Sequence, residues 1–161
     1  MNTKSLIFLL ALTFLFLFSG SSVVFANDFQ DATDAYDRKD YETAYKLFLP
    51  FAEQGDADAQ YNLGLSYYTG QGVPQDYKEA VKWWKLAAGQ GLEIAQYNLG
   101  GMYYQGKGLP KDYVSAHMWF NICSPSKDED CMDNRNIVEK EMTPQQIEKA
   151  QEMARNWKPK K

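Results

Sequence analysis

The residues of this chain that could do chemistry are few and lie close together near its C-terminal third. His117 is the only histidine among 161 residues, and a single imidazole could act as a general base or contribute one metal ligand. Cys123 and Cys131 follow it, an even pair that reads as one disulfide in an oxidising compartment or as two free thiols. Ser124-Pro125-Ser126-Lys127 places a lysine three residues after a serine, the spacing with which one class of acyl-transfer enzymes activates its nucleophile. Asp128, Glu129, Asp130 and Asp133 supply carboxylates for a cation.

Each of these has a plainer reading. One histidine and two cysteines that can bridge leave too few ligands for a structural zinc. The serine falls in an expected inter-helix turn, and the Ser-Asn and Lys-Thr-Gly elements that accompany it in such enzymes are missing from the chain. The acids lack the spacing of a calcium loop and suit the solvated start of a helix, where negative charge is favourable. We therefore assign no catalytic residue, no metal and no cofactor from the sequence.

Composition narrows the setting. Met1-Asn2-Thr3-Lys4, an apolar run from Leu6 to Phe18 and the small residues up to Ala26 form the pattern of a signal peptide cleaved after Ala26. The remaining 135 residues lose Lys4 but no acid, so they carry 16 basic and 21 acidic side chains. Such a chain is one domain's worth, exported to the periplasm or secreted. Its acidity argues against nucleic acid or an anionic membrane as partner, since both need a basic surface. Lys158-Pro159-Lys160-Lys161 is too small a patch to change this.

The elements that must position any site are set by an internal repeat. Ala59-Gln60-Tyr61-Asn62-Leu63-Gly64 returns as Ala95-Gln96-Tyr97-Asn98-Leu99-Gly100, an offset of 36 residues that also carries Gly70–Tyr77 onto Gly106–Tyr113. A period of this size points to stacked helical units. A first helix is expected over residues 27–38, with Phe29, Ala32, Ala35 and Tyr36 on one stripe, and a second is capped by Asp40 and bent or ended early by Pro50. Asp56 caps a helix over 57–69 with Ala59, Leu63 and Tyr67 inward. Asp76 and Glu79 form a capping box for the next, to about Ala88, with Ala80, Trp83, Trp84 and Ala87 inward. The following unit repeats this to about Cys123 with Ala116, Trp119 and Phe120 inward, and His117, aligned with Val81, takes a packed or half-exposed position. Helices near Glu129–Glu141 and after Thr143-Pro144-Gln145-Gln146 close the chain.

The pattern Ala59-x-x-x-Leu63-Gly64-x-x-Tyr67-x-x-Gly70-x-Gly72-Val73-x-x-Asp76-x-x-x-Ala80-x-x-Trp83 resembles the Sel1-like repeat, a relative of the tetratricopeptide repeat. From Gly64 to Ala80 is 16 residues, but from Ala32 to Ala44 only 12, so the first unit is similar to a tetratricopeptide hairpin without the Gly-x-Gly-Val-Pro loop. The resemblance implies an all-α fold, a right-handed α/α superhelix of stacked helix-turn-helix repeats with a C-terminal capping helix. It divides the chain into a signal peptide (1–26), an N-terminal hairpin (27–55), two repeats (56–91 and 92–127) and a helical cap with a basic tail (128–161). Cys123 and Cys131 are spaced like the bridges of secreted, cysteine-rich members.

The tetratricopeptide register, if carried over, puts the first helix of each unit on a concave binding face. The residues there are Asp58, Tyr61, Leu65, Tyr68 and Thr69, then Ile94, Tyr97, Gly101, Tyr104 and Gln105. Tyrosines outside the core stripe bring contact area and a hydroxyl to a partner, or else pack between repeats. The expected function is a non-catalytic scaffold or adaptor for a protein, peptide or cell-envelope component. The alternative is a penicillin-binding or cell-wall-active hydrolase, because cysteine-rich members of the family have been linked to penicillin.

Overall fold

The computed structural model describes residues 21–123 and 129–160, with side chains from residue 28 onward. Among these residues there are eight helices and no strand: α1 (Ser21–Asp37), α2 (Tyr41–Glu53), α3 (Ala57–Thr69), α4 (Tyr77–Gly89), α5 (Glu93–Gln105), α6 (Tyr113–Cys123), α7 (Glu129–Glu139) and α8 (Pro144–Asn156). The apolar run Leu6–Phe18 and the stretch Ser124–Asp128 lie outside the described residues. α1 already includes Ser21, six residues before the expected start, since no glycine or proline interrupts Ser21–Asp37. The expected cleavage point at Ala26 therefore lies within it.

Capping residues set most of the helix ends. Asp56 accepts from Ala59 N at 2.8 Å, and Gly70 closes α3 in the left-handed region. Asp76 accepts from Lys78 N and Glu79 N, but the expected capping box is only half formed: Asp76 N–H donates to Tyr67 O, and Glu79 instead pairs with Lys82 at 3.0 Å. α5 has Leu92 at its N-cap and no side-chain cap there. Thr143 and Gln146 make both bonds of a capping box at α8. α2 does not end at Pro50 as one expectation had it. The helix continues to Glu53, and Gln54 donates both its backbone N–H and its side-chain amide to Pro50 O.

Helices pair in sequence, α1 with α2, α3 with α4, α5 with α6, and each pair stacks on the one before. Within a unit the backbone of the first helix lies directly against an aromatic of the second. A Cβ at Gly64 would overlap the Trp84 indole, and one at Gly100 would stand 2.8 Å from Phe120 Cε1. Between units, buried Gln60 donates to Ala52 O and buried Gln96 to Ala88 O. The loops dock backward as well. Gly72 (φ 79°) and Gly108 (φ 71°) sit so close to the carbonyls of Tyr41 and Tyr77 that no side chain would fit.

Alanines form the joints: Ala52 with Ala59, then Ala87 and Ala88 with Ala95. One unit later, Cys123 and Cys131 take the places of Ala87 and Ala95 and are joined by a disulfide, with Cα atoms 6.1 Å apart. Several expected core residues, among them Phe29, Tyr36, Tyr67, Trp83 and Trp119, are only half-buried. Gln60, Ser66, Val81, His117 and Met118 are buried. A central helix is covered by the preceding and the following unit at once, so its buried surface is wider than one apolar stripe and takes in polar residues.

The C-terminal end folds back. α7 ends at Glu139, two residues before its expected end, and α8 packs chiefly on α6. Trp157 meets Trp119 edge to face at 6.0 Å, and Lys160 N–H donates to Gly89 O at 2.8 Å.

Candidate binding groove

The first helices of successive units, α3, α5 and α7, border a concave groove of about 410 Å³. Tyr61, Leu65 and Tyr68 enter it from α3, Tyr97, Gly101, Tyr104 and Gln105 from α5, and Asn134 from α7, with Trp84 and Phe120 behind. The repeat explains the arrangement. A residue on one face of α3 has its counterpart, 36 positions on, at the same face of α5.

Each groove tyrosine leans on aromatics of its own unit. Tyr61 stacks on Trp84 with centroids 6.5 Å apart, and Tyr68 lies 5.3 Å from Trp84 and 5.4 Å from Tyr77. Tyr97 meets Phe120 at 5.8 Å and Tyr104 meets Tyr113 at 5.8 Å. The hydroxyls of Tyr61 and Tyr97 reach forward into the next unit. Tyr61 is hydrogen-bonded to the Asn98 side chain, and Asn134 Nδ2 donates to the Tyr97 hydroxyl at 3.3 Å. Burial raises the Tyr61 pKa above its ordinary value, with the Asn98 bond acting in the opposite direction. These tyrosines thus pack between helices and line the groove at the same time.

Two lysines outside the groove lining approach the rings of its tyrosines and their neighbours. Lys107 Nζ lies 5.5 Å from the Tyr68 ring and 5.4 Å from Tyr77, and Lys111 Nζ lies 5.6 Å from Tyr104 and 4.8 Å from Tyr113. The hydrogen bond with the Tyr113 side chain holds Lys111 above the usual lysine pKa.

The remaining expected binding residues fall elsewhere. Asp58 is exposed outside the groove lining, and Thr69 turns its hydroxyl back onto Leu65 O at 2.9 Å. Ile94 borders a second, smaller hollow of about 310 Å³, with Glu93, Tyr97 and Asp130.

Among the described residues, the groove lining contains no histidine, cysteine, serine, lysine or carboxylate. His117 is fully buried away from it, with Nε2 2.7 Å from Glu139 Oε1 at the α6–α7 contact. Glu129, Asp130 and Asp133 lie exposed along α7, and among the described residues no group of three or more His, Cys, Asp or Glu gathers for a metal. The Ser124-x-x-Lys127 pair and Asp128 are outside the described residues.

Sequence reasoning missed Trp84, Asn98, Met102, Phe120 and Asn134 as parts of the groove. Asn134 carried a signal. The 36-residue count runs Asn62, Asn98, Asn134 and Ala59, Ala95, Cys131, so α7 keeps the register after the overall match has faded.

Comparison with known proteins agrees with the repeat architecture. The Sel1 repeat family model matches residues 35–56, 57–92 and 94–122. The chain is similar to c5321 of uropathogenic Escherichia coli, described as a protective antigen with an SLR fold, at 32% identity and a TM-score of 0.78 over 83% of this chain and 29% of that one. It is also similar to a Sel1 repeat protein from Oxalobacter formigenes, at 36% identity and a TM-score of 0.57 over 60% of this chain and 40% of that one. The chain thus spans less than half the length of either structure. No curated protein matches it.

Proposed function

The chain belongs to the Sel1 repeat family, and from that premise we propose that it is a non-catalytic scaffold or adaptor holding a protein or peptide segment in its concave groove. Sel1 repeats are commonly protein-interaction scaffolds. The observation that carries the reading is the groove itself: an uncharged surface of tyrosines and amides shared by three successive first helices, backed by rigid aromatics. Aromatic rings fixed by neighbours offer contact area with little entropy left to lose, and side-chain amides match the donors and acceptors of a peptide backbone. We read the protein as exported, acting in the periplasm or outside the cell, with which its leader-like first 26 residues and its Cys123–Cys131 disulfide are compatible.

Gly101 gives a test that leaves the fold intact. A Cβ there would meet only Gln105 Nε2, at 3.9 Å, whereas one at neighbouring Gly100 would strike Phe120. Gly101→Leu therefore fills the groove and replaces a mid-helix glycine, a change worth about 0.5–1 kcal/mol toward stability. The expected outcome is a thermal midpoint at or above that of the wild type, together with loss of partners captured by the wild type from envelope extract. Undiminished capture by Gly101→Leu would remove the groove as the binding surface.

A further inference from the structure

Resting on the groove reading, we infer that the bound segment is anchored by one aliphatic side chain of leucine size, seated on the backbone of α5 at Gly101. The groove supplies the site, and Gly101 adds the chemical class of the residue that enters it.

Among the described residues, three glycines lie in the interior of a helix: Gly64, Gly100 and Gly101. The first two are required by packing, because a Cβ at either would run into the ring of Trp84 or Phe120. Gly101 has no such reason. A Cβ there meets only Gln105 Nε2, at 3.9 Å, the far end of a flexible side chain, and its φ lies outside the left-handed region. A glycine of this kind weakens its helix and gives the fold nothing in return. What it leaves is bare backbone in the wall of the groove, open to the close approach of another group.

The chain itself displays what such a place accepts. One repeat earlier, 36 positions before Gly101, stands Leu65, with Tyr61 four residues before it, Tyr68 three after it and the Trp84 indole behind both rings. Gly101 has the same surroundings without the side chain: Tyr97 and Tyr104 at the same two offsets, and Phe120 against Tyr97. One repeat later the register arrives at Ile137 on α7, which is 44% exposed. The row Leu65, Gly101, Ile137 is therefore aliphatic at both ends and empty in the middle. An aliphatic side chain brought by the ligand completes it, burying its own surface and that of two rings already held by their neighbours. A charged side chain would lose its hydration there with no counter-charge in the lining. Seating one such residue also fixes the register of the segment along the groove.

The test selects phage-displayed random dodecapeptides on the wild type, then measures the enriched peptides, synthesised with a fluorescein label, and their single alanine variants. Binding is compared among the wild type, Gly101→Ala, Gly101→Leu and Gly89→Ala; a Cβ at Gly89 also meets nothing, so the last makes the same change away from the groove. The expected result is one shared leucine, isoleucine or methionine position at which alanine weakens binding to the wild type about tenfold or more. In Gly101→Ala the added methyl makes the seat shallower, and the preference for leucine over alanine should fall severalfold. It should persist in Gly89→Ala, and binding should be lost in Gly101→Leu. Peptides that are lost in Gly101→Leu yet tolerate alanine at every position, depend on a charged residue instead, or keep their full leucine preference in Gly101→Ala would overturn the anchor while the groove stands. A preference equally weakened in Gly89→Ala would overturn it too, tracing the effect to helix stiffness. Peptides that bind Gly101→Leu as they bind the wild type, or the enrichment of none, would overturn both readings.

Discussion

Tyr45 and Tyr67 meet hydroxyl to hydroxyl at 2.8 Å, one reaching from α2 and the other from α3, so a hydrogen bond between side chains spans the first joint of the stack beside that of Gln60 to Ala52 O. Burial, and then this bond, raise the Tyr45 pKa far above its ordinary value of 10.0. The unfolded chain releases that phenolic proton near pH 10 while the folded protein keeps it, so the contribution is intact below the unfolded value and is lost as pH rises beyond it. Tyr45→Phe removes the bond and the titration together. We expect it to cost about 1 kcal/mol at neutral pH, with the difference from wild type narrowing above about pH 10, as measured by urea midpoints. At this scale the sequence was least legible. Gln60 and Gln96 look like surface amides of a repeated motif, yet both are buried because each satisfies a carbonyl at the end of the preceding helix. Hydrophobicity cannot reveal a polar side chain whose partner is backbone. His117 shows the same limit, its burial compensated by Glu139 from another helix.

The position of α7 depends little on apolar packing. Its sequence is polar, and only Cys131 and Val138 are buried. What fastens it to α6 is the disulfide, the His117–Glu139 contact and the bond from Arg135 to Asn121 at 3.3 Å. The joint one unit earlier rests on Ala87 against Ala95, so here a covalent link stands in for an alanine contact. Cys123→Ser/Cys131→Ser is expected to lower stability by about 2–3 kcal/mol. Hydrogen exchange should show residues 129–139 losing protection first while α3 to α6 keep theirs; a uniform loss would mean that surface packing alone holds α7. Helix ends were legible wherever a cap marked them, as at Asp56, Gly70 and Thr143. The role of α7 in the groove was not, since the Cys131 and Asn134 positions keep the repeat's register but little of its residue pattern.

Across the whole molecule, helices pack mainly on their neighbours in the chain, which is why a repeat in the sequence was enough to read the architecture. The exception is the C-terminal return, where α8 packs on α6, Trp157 on Trp119, and Lys160 bonds to Gly89. No periodicity announces a fold-back, and the basic tail reads from sequence only as solvated. Removing residues 157–161 strips half of the Trp119–Trp157 contact and the backbone bond to Gly89. We expect a loss of about 1–2 kcal/mol, seen by calorimetry as a midpoint several degrees lower with the helical signal of α3 to α6 preserved.

The backward docking of Gly72 on Tyr41 and of Gly108 on Tyr77, together with the matching reach of Gln60 and Gln96, makes the α2–α3 and α4–α5 seams alike. Gln54-Gly55 and Gln90-Gly91 even end the two units with the same dipeptide. Tandem duplication of residues 56–91 would set α4 against a second α3, a seam that keeps the alanine and glutamine positions of the two present ones, so the copy would offer much of the surface it also requires. Its ends would keep their present neighbours, and only the span between them would grow. In evolution such a chain can change the length of ligand it accommodates in a single genetic event, leaving its folding rules as they were.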